Sequence, residues 1–188
     1  MVGQHLGLSV PSYFGVLTKG NVTSMDHVDD AADFTVLLQA MSTLGFTEDE
    51  QEDVFSLVAT VMHLGQVQFN ESESGEGSNV NSGEGRRGSV TRRRSSAVST
   101  GDLSAMGLRM AASLLGVDSD DLTVALTHRT VMSVKAELDV KTAKAARDAL
   151  SKELYGRMFN WIVLRINTAT KTTSKDLQVS RRPTTTPR

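Results

Sequence analysis

The chain has 188 residues, 20 Lys plus Arg against 22 Asp plus Glu, and no cysteine. A formal net charge of −2 excludes a globally basic nucleic-acid binder, and the missing cysteine excludes a disulfide scaffold, a thiolate zinc site and a Cys nucleophile. With 39% hydrophobic and 5% aromatic residues the chain can fill one modest core, and no apolar run approaches the roughly 20 residues that span a bilayer. Met1 to Tyr13 lacks the basic segment and long apolar run of a secretory signal, so an intracellular protein is expected. The glycosylation acceptor patterns Asn21-Val22-Thr23 and Asn70-Glu71-Ser72 then stay idle.

Taken in chain order, the first strong pattern is Phe34, Leu37, Leu38 and Met41, spaced i, i+3, i+4, i+7 on one helix face, with Gly45 just past the end. Thr47 and Glu50 form a capping box that opens a second helix, whose inward residues are Val54, Phe55, Val58, Ala59 and Met62. Gly65 ends it, and Gln66-Val67-Gln68-Phe69 alternates as a short strand does. Residues 71–102 are rich in Ser and Gly, hold no aromatic residue, and run from Glu71, Glu73, Glu76 and Glu84 to Arg86, Arg87, Arg92, Arg93 and Arg94. Such a stretch buries too little to order itself, so a long disordered insertion is expected there. The helical pattern resumes at Met106 to Leu115 before Gly116, and Asp118 is placed to cap Asp121 to Leu126. Thr130 to Val140 has the mixed alternation of an irregular hairpin.

The longest element is expected at about 142–168. Ala146, Leu150, Leu154, Met158, Ile162 and Ile166 form one i, i+4 row, and Tyr155, Phe159 and Val163 lie in the row beside it. That double stripe predicts a broad buried side, with Trp161 as a core anchor and Lys152, Arg157 and Arg165 on the wet side. The tail, 181–188, has nothing to fold around. His5, His27, His63 and His128 are scattered without a paired carboxylate at ligand spacing, and no G-x-S-x-G word occurs. His63 reads as a packed helix-end residue, and Met41, Met62, Met106, Met110 and Met158 read as packing.

An ordered set of words carries a family resemblance. Asp29-Asp30 ahead of Phe34, Leu44-Gly45-Phe46-Thr47, His63-Leu64-Gly65-Gln66-Val67-Gln68-Phe69 and Leu114-Leu115-Gly116-Val117 lead to Arg147-Asp148-Ala149-Leu150-Ser151-Lys152-Glu153-Leu154-Tyr155-Gly156-Arg157-Met158-Phe159-Asn160-Trp161. Order and spacing over roughly residues 13–168 resemble the upper 50-kDa subdomain of a myosin motor, of the unconventional kind. The resemblance implies a mainly α fold: a helical segment of the motor, which is a P-loop NTPase type, with a short β-hairpin and a long disordered insertion. Residues 1–180 would then be part of a motor domain.

The family hydrolyses ATP with Mg, and it binds actin across a cleft. The sequence contains no G-x-x-x-x-G-K-[ST], the loop whose backbone and lysine hold nucleotide phosphates. In the family the phosphate loop and first switch precede the segment seen here, and the second switch follows the long helix. The resemblance therefore implies that this polypeptide alone neither binds the nucleotide nor hydrolyses it. It also implies actin contact through the hairpin at Arg129 to about Lys141, with Arg129, Lys135 and Lys141 basic and Glu137 acidic. The hairpin is shorter than is usual in the family, which leaves Ser133 and Glu137 as alternatives for the acidic or phosphorylatable position.

Two other readings stay open. Arg86-Arg87-Gly88-Ser89 and Arg92-Arg93-Arg94-Ser95-Ser96 place arginines before serines as a basophilic kinase requires, so Ser89, Ser95 and Ser96 are phosphorylation candidates, each able to add about −1.5 to −2 charge. A stand-alone, non-catalytic, helical actin-binding or regulatory protein controlled at this loop is the alternative function. A truncated product that folds poorly, with apolar surface uncovered, is the third. Without aromatic interleaving the five arginines make a poor nucleic-acid site. The expected partners are the actin filament, the rest of a motor and a basophilic kinase, with a cytoplasmic, cytoskeleton-associated location.

Overall fold

The computed structural model describes residues 5–72, 75, 77–82, 100–131 and 134–180, with positions 131, 134 and 172–180 described through their backbone alone. A 3₁₀ turn at Pro11–Tyr13 leads into α1 (Gly15–Thr18), then α2 (Asp30–Thr43) and α3 (Glu48–Leu64). Strands β1 (Phe69–Glu71) and β2 (Ser78–Val80) pair antiparallel, and β3 (His128–Val131) pairs with β4 (Val134–Glu137) in the same sense. Helices α4 (Thr100–Leu115) and α5 (Ser119–Thr127) stand between the two hairpins, and α6 (Val140–Ser180) closes the order. The fold is mainly α, as expected from the periodicity.

Local chemistry accounts for most helix ends. Asp29 caps α2 by accepting from the Ala31 and Ala32 N–H groups. In the α3 capping box the Glu50 N–H donates to Thr47 Oγ1 at 3.1 Å and the Thr47 N–H donates to Glu50 Oε2 at 2.9 Å. Asp118 does the same for α5 through the Asp120 and Asp121 amides. Gly45 and Gly116, both at positive φ (76° and 67°), end α2 and α4 where a side chain would strain the backbone.

α6 has 41 residues, about 60 Å at 1.5 Å per residue, and it covers two cores in succession. Its Ala143, Ala146, Leu150 and Leu154 meet Leu64, Val67, Phe69, Leu108, Ala111, Leu122, Leu126 and Leu138. Its Met158, Ile162 and Ile166 meet Met41, Phe46 and Val54. The predicted i, i+4 row therefore faces the two cores, with Met158 buried and Ala146, Leu150, Leu154, Ile162 and Ile166 partly buried. His63 is buried at the end of α3, edge-on to Phe14 with ring centroids 5.6 Å apart, and its Nε2 lies 2.8 Å from the Leu6 carbonyl oxygen.

Five expectations need correction. The second row on α6 is not covered: Tyr155 and Phe159 are half exposed and Val163 is 39% exposed, while Trp161 is 40% exposed and touches Phe46 edge-on rather than anchoring a core. Arg165 does not face water. It reaches back to the α2–α3 junction, donates to Glu50 and to the Leu44 and Gly45 carbonyls, and lies 5.1 Å over the Phe46 ring. On α2 only Met41 is buried: Phe34 touches the Phe55 ring of α3 with centroids 5.2 Å apart yet stays 40% exposed, and Leu37 is 46% exposed. Met106 likewise stands 42% exposed, as acceptor for the Tyr13 hydroxyl. α6 begins at Val140 and runs to Ser180, beyond both predicted ends, since Asp139 supplies the cap.

The stretch 71–102 contains order that composition hid. β2 lies inside it because backbone pairing with β1 needs no apolar side chain, and Ser78 is buried in the pair. α4 begins at Thr100 through small residues: Gly101, Ser104 and Gly107 are buried, Ser104 bonded to the Gln68 backbone and Gly107 against α3, where a Cβ would stand 2.7 Å from the His63 carbonyl oxygen. The phosphorylation candidates Ser89, Ser95 and Ser96, and the tail 181–188, lie outside the described residues, as does Ser133.

Candidate functional site

The β3–β4 hairpin grows directly out of α5. His128 is both the C-cap of α5, donating its N–H to the Val124 carbonyl, and the first residue of β3. Thr127 is buried there; its hydroxyl donates to the Thr123 carbonyl oxygen at 2.7 Å and lies 2.9 Å from His128 Nδ1. At the returning end the Leu138 N–H donates to the Thr127 carbonyl at 2.7 Å, and the Leu138 side chain enters the main core beside Leu126. Asp139 then starts α6: its carboxylate accepts from the Thr142 N–H at 2.6 Å and its carbonyl from the Ala143 N–H at 2.9 Å. These bonds from Thr142 hold the Asp139 carboxyl below its ordinary value of 3.8. Both feet of the hairpin are thus fixed to helices that share one core.

The register pairs His128 with Glu137, Arg129 with Ala136, Thr130 with Lys135 and Val131 with Val134. Alternation along a strand puts Lys135 and Glu137 on one face with His128 and Thr130, and Arg129 on the other. Arg129, Lys135 and Lys141 are all exposed, and none of them makes an ion pair among the described residues. Two of the predicted cations, Arg129 and Lys135, are therefore held on the anchored hairpin, on opposite faces of it. Lys141 belongs to the first turn of α6, not to the hairpin itself.

Glu137 has a separate task. Its carboxylate covers Gly77, where an added Cβ would overlap it and stand 2.8 Å from the Glu137 Cβ, and it accepts from the Ser72 hydroxyl at 3.4 Å. It ties the β1–β2 turn to β4. The sequence carries one signal for this, a glycine at position 77 where the partner strand must come close, but no periodicity reveals which carboxylate fills the space. Arg147 is a second residue that the pattern leaves unmarked. Its side chain is 13% exposed and donates to the Val67 carbonyl at 2.6 Å and to Asp148 at 2.6 Å, tying α6 to the segment before β1.

The sequence has no phosphate-loop word, and among the described residues no group of three or more His, Asp or Glu is placed to hold a metal ion. No helix among the described residues is long and apolar enough to cross a membrane.

The described residues thus form a mainly helical arrangement in which a cationic hairpin stands between α5 and a 41-residue helix. Comparison with known sequences gives the family. The family described as "Myosin head (motor domain)" matches residues 2–180, and this chain belongs to it. It is 33% identical over 172 residues to "Unconventional myosin IC" of Drosophila melanogaster, covering 89% of this chain and 14% of that protein. To "Unconventional myosin-Ic" of Mus musculus it is 35% identical over 161 residues, 84% of this chain and 13% of that one. "Myosin IE heavy chain" of Dictyostelium discoideum is 31% identical over 180 residues, 90% of this chain and 16% of its own length. The chain spans about one seventh of these relatives.

Proposed function

We propose that this chain forms the actin-facing helical part of an ATP-driven cytoskeletal motor, with its filament contact on the β3–β4 hairpin and the first turn of α6. The observation that carries the reading is the hairpin's construction: two feet bonded to the core, and three exposed cations, Arg129, Lys135 and Lys141, none of which makes an ion pair among the described residues. Charges held out on a rigid element steer association with an acidic filament and form rim ion pairs of about 0.2–1 kcal/mol each. Glu137 acts in this reading as the brace that sets the hairpin's angle through Gly77 and Ser72, rather than as a filament contact. ATP and Mg serve the motor family, and the groups that hold them belong to other parts of a full-length motor. The resulting protein works in the cytoplasm, on the actin cytoskeleton.

Co-sedimentation of the purified chain with actin filaments tests this. Saturable binding that weakens about two- to fivefold on Lys135→Glu, and that falls as salt rises, supports the reading; binding indifferent to both counts against it. A regulatory role for the basic insertion rests on the two arginine–serine words. Its test is phosphopeptide mapping after treatment with a basophilic kinase, in which unmodified Ser89, Ser95 and Ser96 would remove it.

A further inference from the structure

Between α3 and α6, far from the hairpin, lies a cavity of about 360 Å³ lined by Asp53, Val54, Leu57, Arg157, Met158 and Trp161. Trp161 is roughly 30 Å along α6 from Lys141 at 1.5 Å per residue. The floor is apolar, and Leu164, 66% exposed and one turn beyond Trp161, carries the apolar strip onward along the helix. One or two aliphatic side chains fit such a volume, so the occupant needs an apolar anchor and a backbone that follows the strip.

The rim selects the sign of its charge. The first turns of α3 hold Glu48, Asp49, Glu50, Glu52 and Asp53. Glu50 is paired with Arg165, and Glu52 lies 3.2 Å from His5. Asp49 and Asp53, one turn apart on the same face as Leu57, make no ion pair among the described residues. Arg157, the one cation among the described lining residues, is already matched by Glu153 at 2.7 Å. What remains is an apolar trough beside unmatched carboxylates, which repels acidic peptides and anionic surfaces and suits a helix with apolar residues on one face and Lys or Arg at its edge.

We propose that the α3–α6 groove docks a basic amphipathic peptide segment, its apolar side chains on Val54, Leu57, Met158 and Trp161 and a cation on Asp53. The site is independent of the hairpin reading. The chain has a single tryptophan, so emission from Trp161 reports on the groove alone.

The test titrates the full chain with a synthetic helical peptide of Leu and Lys, and with the same peptide carrying Glu in place of Lys. The Leu/Lys peptide should shift Trp161 emission to the blue with saturation, and the Leu/Glu peptide should leave it unchanged. Asp53→Asn, at an exposed position that leaves the fold intact, should weaken binding about fivefold, and Leu57→Ser at least about tenfold. Lys135→Glu should leave the titration as it is, which separates this site from the hairpin. Equal binding of both peptides, an unmoved emission, or unchanged affinity in Asp53→Asn would overturn the proposal.

Discussion

Arg165 is the side chain whose removal tests the packing account most sharply. It joins the far half of α6 to the α2–α3 junction across more than a hundred residues of sequence, with Nε 3.2 Å from Glu50 Oε1 and Nη1 3.4 Å from the Leu44 carbonyl oxygen. It also donates to the Gly45 carbonyl and lies 5.1 Å over the Phe46 ring. The Leu44 and Gly45 carbonyls follow α2, where helix geometry leaves acceptors unfilled and favours a cation. A charge-assisted bond contributes about 1.5–3 kcal/mol and the ring contact about 0.5–1 kcal/mol. The side chain is 25% exposed, so screening trims the sum, and Arg165→Met should cost about 2–3 kcal/mol. For a chain of this size that lowers the thermal midpoint by about 5–10 °C, read by far-UV circular dichroism. Arg165→Lys should recover part of the loss, because it restores the charge but not the planar fork.

The pH dependence fixes the sign. The Thr47 N–H and then Arg165 hold the Glu50 carboxyl below its ordinary 4.5. A carboxyl depressed in the folded state stabilises fully above its ordinary value and stops doing so as pH falls through the folded one. The gap between Arg165→Met and the parent chain should therefore be full at neutral pH and narrow below 4.5. A variant within about 0.5 kcal/mol of the parent at neutral pH, or a gap that widens on acidification, would refute the reasoning.

Three further substitutions probe other joints. Gly107→Ala drives a methyl against the His63 carbonyl oxygen at 2.7 Å, so α3 and α4 must separate; a loss of about 1–3 kcal/mol in urea unfolding is expected. His63→Ala empties a fully enclosed site beside Phe14 and removes the group bonded to the Leu6 carbonyl, which should cost about 2–4 kcal/mol in the same assay. Gly77→Ala displaces the Glu137 carboxylate, and amide chemical shifts should move in both hairpins, residues 69–80 and 128–137, while those of α2 stay in place.

How much of this was legible in the sequence follows from the range of the forces involved. Capping chemistry is local, so the Thr47–Glu50 box and the Asp118 cap could be read directly, and the core-facing row of α6 follows from spacing alone. Exposure of the neighbouring row could not, because periodicity tells which residues share a face but not whether anything lies against it. Arg165 shows the same limit: a basic residue reads as solvent-facing until a partner remote in sequence comes within 3.2 Å. Composition misread the start of α4 for the opposite reason: its small residues are buried, and Gly107 is small enough to let α4 touch α3. At the hairpin, the cations were visible as residue types. Their division between two faces depended on the register, which a residue or two of turn length decides.

Zero-length carbodiimide coupling to actin filaments tests the central claim most directly, since it joins a lysine to a carboxylate only where the two touch. With the purified chain, the account predicts filament peptides joined to Lys135 or Lys141, suppressed when Lys135→Gln and Lys141→Gln are combined. Products confined to Lys19, Lys144, Lys152 or Lys171, unaltered by that double change, would place the contact elsewhere and contradict it.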